Sequence, residues 1–440
     1  MPPLTPPPPG RGTPRRSAPL APLAAMWLVL TALLSAAPLA DAAELGADLA
    51  GLLDYARARS PELAAMRHEA SAASARLQSA AALPDPVLRV ELENINNYGN
   101  GGSFNLLPSK VGETKYTLMQ AIPLAGRRGL RRDVAAADAQ QAEARSRASW
   151  VDLSSRIKAA HAQHYLASRN RRLTLELLDL MARLEQLAQA RYASGLAAQQ
   201  DAIRAQLEQT AMRAELIALD SEQRQARTRL NALLARESAA PLAEPEALRS
   251  LPAPEAVEVE ALGRRVEANN PALAAELARL HSAQGSRELT YSNRTPDVLV
   301  GVSPTQMGTR IASWGLMVEV AIPLQRDARR AQELEAEAMF NAQRARLQAL
   351  QAQLAGELGE NLAALDAARR SEALVAQQLL PQSELSLRSA LAAYEAGKVD
   401  FATLLDAQRQ IRKARQDQLK AQVEAQLRLA DIERILGDDL

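Results

Sequence analysis

The chain has 440 residues, and its 52 lysines and arginines nearly match its 51 aspartates and glutamates, which leaves no basic field for nucleic acid. It contains no cysteine, so disulfides, thiolate metal sites and lipid attachment through an N-terminal cysteine are excluded. Only 20 glycines occur among a surplus of Ala, Leu, Gln, Arg and Glu, a composition that favours long helices.

The first element in chain order is a targeting segment. A proline-rich start carries Arg11, Arg15 and Arg16, and an apolar run from Leu20 to Leu34 leads into Ala40-Asp41-Ala42. A basic stretch, a short apolar stretch and an A-x-A site predict a secretory signal peptide over 1–42, with the mature chain starting near Ala43. The run is too short for a spanning helix, and no later apolar stretch is longer.

The remainder repeats. Ser60-Pro61-Glu62-Leu63 is echoed by Asn270-Pro271-Ala272-Leu273, and Asp85-Pro86-Val87-Leu88 by Pro296-Asp297-Val298-Leu299. Ala121-Ile122-Pro123-Leu124 returns as Ala321-Ile322-Pro323-Leu324, and Tyr192-Ala193-Ser194-Gly195 as Tyr394-Glu395-Ala396-Gly397. Landmarks in one order at a near-constant offset mark a tandem duplication. Repeat 1 is placed at 43–240 and repeat 2 at 256–440. The proline-rich stretch 241–255 between them reads as a linker, because proline lacks the amide donor and pins φ.

Within each repeat the period switches from helix to strand. Leu88, Val90 and Leu92 alternate with charged residues, as do Tyr116 and Leu118 with polar ones; Trp314, Leu316, Val318 and Val320 follow suit in repeat 2. Period two puts these side chains on one sheet face and predicts β-hairpins over about 87–122 and 297–322, with Asn96–Gly112 and Ser303–Arg310 as loops. Strands of about nine or ten residues suit a tilted crossing of a bilayer, so this face is expected to meet outer-membrane lipid. Tyr98, Phe104, Tyr116, Tyr291 and Trp314 in or beside the hairpins fit a water–lipid interface. A small soluble sheet with one buried face has the same period.

Four strands cannot close a barrel, and an open edge in lipid leaves amides unpaired at several kcal/mol each. A membrane reading therefore requires oligomerisation; three copies would supply twelve strands, an allowed barrel size. From Arg128 to Gly195 no proline intervenes, which predicts a helix of about 100 Å. Leu173, Leu177, Leu180, Leu184 and Leu187 step along it as a coiled-coil seam, continued in repeat 2 by Leu380, Leu387, Leu391 and Tyr394, with a kink expected at Pro381.

The duplication, the strands ending in Ile-Pro-Leu, and the Tyr-x-x-Gly turn followed by Leu404-Leu405-Asp406-Ala407-Gln408 resemble the TolC family of outer-membrane factors over the whole mature chain. Ala125-Gly126-Arg127-Arg128-Gly129-Leu130-Arg131 resembles the heavy-metal cation-exporting branch of that family. The resemblance implies a mainly α homotrimer, whose twelve-stranded β-barrel is continued by an α-helical barrel through the periplasm. It implies a passive exit duct, coupled by a periplasmic adaptor (membrane fusion) protein to an inner-membrane RND-type pump. By the same resemblance, the turns at Ser194, Gly195 and Leu196 and at Ala396, Gly397 and Lys398 would lie beside the adaptor-docking grooves. Asp406 would match an acidic gate position, with Thr403 where a second acid is usual, and Tyr394 and Asp201 would join helices near the tip. Organic-solute efflux by the same fold, a coiled-coil adaptor and a soluble structural protein are the alternatives.

Enzymatic signals are missing: no phosphate-cradling glycine loop and no nucleophile elbow is present, and no cofactor is expected. His161 and His164, spaced i, i+3 without a further ligand nearby, read as surface polarity rather than a metal site. The Arg127–Arg132 cluster is expected to meet lipid headgroups or carboxylates on adjacent helices.

Overall fold

The computed structural model describes residues 45–96 and 104–440; the signal peptide and Tyr98 lie outside them. Repeat 1 runs α1 (Leu49–Arg59), α2 (Pro61–Ala80), β1 (Val87–Glu93), β2 (Glu113–Ile122), α3 (Arg127–Ala193) and α4 (Gln199–Leu233). Repeat 2 runs α5 (Val259–Asn269), α6 (Pro271–Ser292), β3 (Val298–Met307), β4 (Arg310–Val320), α7 (Arg326–Leu374), α8 (Leu380–Glu395) and α9 (Phe401–Leu436).

The echoed helix starts have one physical cause. Ser60 Oγ accepts from the Leu63 amide and Asn270 Oδ1 from the Leu273 amide, and each is followed by a proline in the first helical turn, where its missing N–H costs nothing. Asn270 also donates to the Ile435 carbonyl at 2.7 Å, which locks the start of α6 to the end of α9.

α3 is 67 residues long, about 100 Å at 1.5 Å per residue. No compact domain buries both ends of such a rod, so its apolar stripe is covered in sections. Toward its C-terminal end, Leu173, Leu177, Met181 and Leu184 are buried with Met212 of α4, Tyr394 of α8, and Phe401 and Leu404 of α9. At mid-length, Leu153 and Ile157 pack with Leu52 of α1 and Leu230 of α4. Repeat 2 copies that arrangement, with Leu262 and Val266 of α5 against α7 and the end of α9.

The helix changes its winding just ahead of Pro381, where the kink is expected. A π-helical turn, Val375–Leu379, separates α7 from α8, and the proline falls in the first turn of α8. The missing N–H is absorbed by widening one turn while the rod continues.

The four strands form one antiparallel sheet in the order β1-β2-β3-β4. The repeat 2 hairpin is longer than the alternation implied: Ser303–Met307 belongs to β3, and the expected loop reduces to a tight turn at Gly308, whose φ is +63°. Pro304 is accommodated opposite Trp314, beside a register shift at Thr305/Gln306. Among the described residues no helix is long and apolar enough to cross a membrane.

Candidate functional site

The register sorts the sheet into two faces. Leu88 faces Leu118 and Val90 faces Tyr116; Leu118 faces Val302, which faces Leu316 in turn; Val300 faces Val318 and Val298 faces Val320. These residues share one face, so the apolar positions of both hairpins merge into one surface across all four strands. Leu88, Val90, Leu118, Trp314, Leu316, Val318 and Val320 are each 45–75% exposed, while Leu92 and Tyr116 are half-buried. The opposite face carries Arg89, Glu91, Thr117, Ser303 and Glu319. A four-stranded sheet with a bare hydrophobic side, a polar side and two unpaired edges is incomplete as a water-soluble object.

Where β2 enters α3, the chain turns through Ala125 (φ +56°) and Gly126 (φ +69°). The turn delivers Arg127 into repeat 2 rather than outward. Its guanidinium, 5% exposed, pairs with Asp297 at 2.6 Å, donates to the Ser292 carbonyl at 2.8 Å, and also reaches the Thr295 carbonyl. Arg128 donates to the Ala81 carbonyl at 2.9 Å. Arg127 thus meets a carboxylate, though one just ahead of β3 rather than on a helix, while Arg128, Arg131 and Arg132 remain exposed. The ends of α2 and α6 present carbonyls that need donors, and Arg127 and Arg128 supply them.

At the other end of the rods lie the two helix–turn–helix tips. Gly195 (φ +72°) and Gly397 (φ +70°) are left-handed, and each turn closes identically. The Leu196 amide donates to the Arg191 carbonyl and the Lys398 amide to the Ala393 carbonyl, both at 2.8 Å. Ser194, Gly195, Leu196, Ala396, Gly397 and Lys398 are all exposed. The two tips are tied together: Arg191 donates to the Glu395 carbonyl at 2.5 Å and lies 5.1 Å from the Tyr394 ring centre.

The candidate gate residues separate into two sets. Tyr394 is buried edge-on against Phe401, and its hydroxyl donates to Asp201 at 3.3 Å, linking α8 to α4. Burial first, and then the Asp201 charge, push the Tyr394 phenol up to about 12. Thr403 donates its hydroxyl at 2.6 Å to Asp400, whose carboxylate caps α9 through the Thr403 amide; it is occupied by capping. Asp406 is exposed and has no ion-pair partner among the described residues. Sequence reasoning missed the buried Glu208, which takes Arg409 at 2.7 Å across the same two repeats. Partners some two hundred residues apart leave no local spacing to detect.

The histidines are a correction. His161 and His164 are 3% and 2% exposed, covered at mid-length of α3. Burial, and next the neighbouring His164, lower His161 to about 4, and burial also lowers His164. A long helix read alone hides which of its faces a later segment will cover. Among the described residues, no group of three or more His, Cys, Asp or Glu is arranged to hold a metal ion.

Comparison with known proteins follows the same outline. The model of the outer membrane efflux protein family matches residues 52–236 and 262–438. The cobalt-zinc-cadmium resistance protein CzcC of Cupriavidus metallidurans is 28% identical over 326 residues, covering 72% of this chain and 75% of the relative. The outer membrane protein VceC of Vibrio cholerae has the same fold, with a TM-score of 0.76 at 18% identity over 89% of this chain and 96% of that one. CusC, described with conformational changes accompanying transmembrane channel formation, superposes with a TM-score of 0.75 at 16% identity, covering 89% and 92%.

Proposed function

The chain belongs to the outer membrane efflux protein family, and on that premise we propose that it is the outer-membrane exit duct of a tripartite efflux system that exports heavy-metal cations. The fold is that of channel proteins, and the proposal gives the chain no catalytic step: an inner-membrane RND-type pump supplies the energy and a periplasmic adaptor joins pump to duct. One observation carries the reading. The sheet has an apolar outer face that spans all four strands, with Gln120 set into it, and two free edges, and its strands run directly into rods of about 100 Å. In lipid each unpaired strand amide costs several kcal/mol, so closure by further copies is the state of lowest free energy. Three copies give a twelve-stranded barrel, and the rods then extend it as a tube.

The adaptor is assigned to the exposed tips. Six left-handed glycine turns in a trimer would form a ring of small, rigid knuckles with grooves between them. The metal assignment is supported by the likeness to CzcC, a cobalt-zinc-cadmium resistance protein. Asp406, exposed near the tip, would add a ring of three carboxylates by symmetry, a cation-favouring feature.

Two measurements test this. Cell fractionation should place a trimer, resistant to detergent without heating, in the outer membrane; soluble monomer would overturn the duct. Deletion of the gene should lower tolerance to cobalt, zinc, cadmium or copper. Unchanged metal tolerance with increased sensitivity to organic drugs would reassign the solute and leave the duct standing.

A further inference from the structure

The duplicated hairpins provide a ruler for a contact between copies. β2 maps onto β4 by adding 200, as Ile122 maps to Ile322. Leu88 faces Leu118, while Val300 faces Val318, so β1 maps onto β3 by adding 212. The same shift carries Val90 to Val302, Asp85 to Asp297, and the last residue of α2, Ala80, to the last of α6, Ser292. The helices after the hairpins align at their first residues, Arg127 of α3 with Arg326 of α7, because the second junction is one residue shorter.

Inside one chain, repeat 1 meets repeat 2 along β2–β3, where Ile122 faces Val298, Gln120 faces Val300 and Met119 faces Gly301. Arg127 then clamps the junction through Asp297 and the carbonyls of Ser292 and Thr295. Outside the chain, the equivalents of both sides stand free: β4 and β1 are the sheet edges, and Arg326, Asp85 and Glu319 are exposed without an ion-pair partner among the described residues. Arg89 has only Glu91 of its own strand, at 3.8 Å and well exposed.

Resting on the trimeric duct proposed above, we infer that the seam between neighbouring copies repeats the seam between the two halves of one chain. β4 of one copy pairs with β1 of the next in the register Val320–Leu88, Val318–Val90 and Leu316–Leu92. In that register Glu319 faces Arg89, and Arg326 takes Asp85 together with the carbonyl groups of Ala80 and Leu83.

Three features of the page converge on this register. Parity holds: Leu316, Val318 and Val320 of β4 meet Leu92, Val90 and Leu88 of β1, so the apolar outer face carries across the seam, with Trp314 falling just past the end of β1 beside Asn94. Charge agrees: the transferred register sets Glu319 opposite Arg89 on the polar face, whereas a slip of two residues sets it opposite Glu91 or Val87. The clamp also transfers, because an arginine stands at the first position of both long helices and an aspartate at both receiving positions, and its other two acceptors are backbone groups that any sequence supplies.

The chain has no cysteine, so paired cysteines report the seam without background. Glu319→Cys with Arg89→Cys, oxidised in isolated outer membranes, should give dimer and trimer bands on a non-reducing gel. Directly opposite residues sit at 4.5–5.5 Å between Cβ atoms and diagonal ones at 7–8 Å, so the yield should exceed that of Glu319→Cys with Val87→Cys or Glu91→Cys by about tenfold. A trimer that cross-links mainly through a slipped pair, or through none, overturns the seam and leaves the duct intact. Failure of the cysteine-free protein to form any trimer overturns both. For the clamp, Arg326→Asp should lower the temperature at which the trimer dissociates on unheated gels, and adding Asp85→Arg should restore it. A trimer whose heat resistance ignores Arg326→Asp removes the ion pair.

Discussion

Replacement of Tyr394 by phenylalanine isolates one hydroxyl in the tip. The ring's edge contact with Phe401 and its place beneath Arg191 survive, and only the 3.3 Å bond to Asp201 is lost. Bonds to charged acceptors contribute about 1.5–3 kcal/mol, but this one is long and Asp201 is half-exposed, so about 1 kcal/mol per chain is appropriate. The bond joins α8 of repeat 2 to α4 of repeat 1, so any outward swing of one tip hairpin against the other must break it. If three copies swing together, the closed state loses about 3 kcal/mol, which raises the open population about 100-fold; if each swings alone, the gain is about fivefold. Single-channel recording of the purified trimer in planar bilayers distinguishes the two by open probability. An open probability within twofold of the parent would refute the assignment of Tyr394 and Asp201 to the gate, because the bond would then persist through opening or be absent in the trimer.

Asp406→Ala should reduce cation-over-anion selectivity in the same recordings; unaltered selectivity would remove the proposed carboxylate ring. His161 is held near 4 in the fold against 6.5 in the unfolded chain, so its contribution is complete above pH 6.5 and is lost as pH falls toward 4, about 3 kcal/mol at full effect. Thermal midpoints measured from pH 7 to pH 4 should fall less steeply for His161→Gln than for the parent, and parallel curves would count against it. Lys158 and Glu433, 4% and 2% exposed and 2.8 Å apart, tie α3 to α9. Glu433→Gln should cost about 3–5 kcal/mol in denaturant unfolding, because it strands a buried ammonium with only exposed Asp439. Lys158→Met should cost less, since Glu433 keeps Arg249 at 2.8 Å; the reverse order would refute this account.

The elements legible in the sequence were those written in local period or local chemistry. Alternation exposed the hairpins, Ser60-Pro61 and Asn270-Pro271 exposed helix starts, and the glycines of the two tips exposed the turns. What escaped was decided by distant partners. The strand character of Ser303–Met307 follows from pairing with β4 despite Pro304, and no window of sequence reveals that pairing. His161 and His164 carry a surface spacing but lie under other segments of the chain. Arg127 was visible as part of a basic cluster, yet its charge count could not say that one member turns inward to Asp297. Thr403 is the exception, because its role is set locally, by the carboxylate of Asp400 three residues earlier capping the helix start.

Duplication bears on the duct in one further way. A tube built from identical half-chains would have six equivalent seams and would have to loosen at all of them or none. Here three seams are within a chain and three between chains, and the two kinds can diverge in sequence. At the barrel end they have stayed alike: Arg127 with Asp297 inside, Arg326 and Asp85 outside. At the tip they have separated. Tyr394 meets Asp201 inside the chain, whereas the repeat-related positions are an exposed Tyr192 and Thr403, a threonine committed to its own helix cap. Glu208 with Arg409 is likewise replaced by Gln410 and Leu207. By that contrast the tip seams between copies are expected to lack these two polar links of the seams within them. At the tip the seams between copies are therefore expected to part first, with the Tyr394–Asp201 link inside each chain setting the cost of the wider swing, while the barrel end, with both kinds of seam clamped, is expected to hold together.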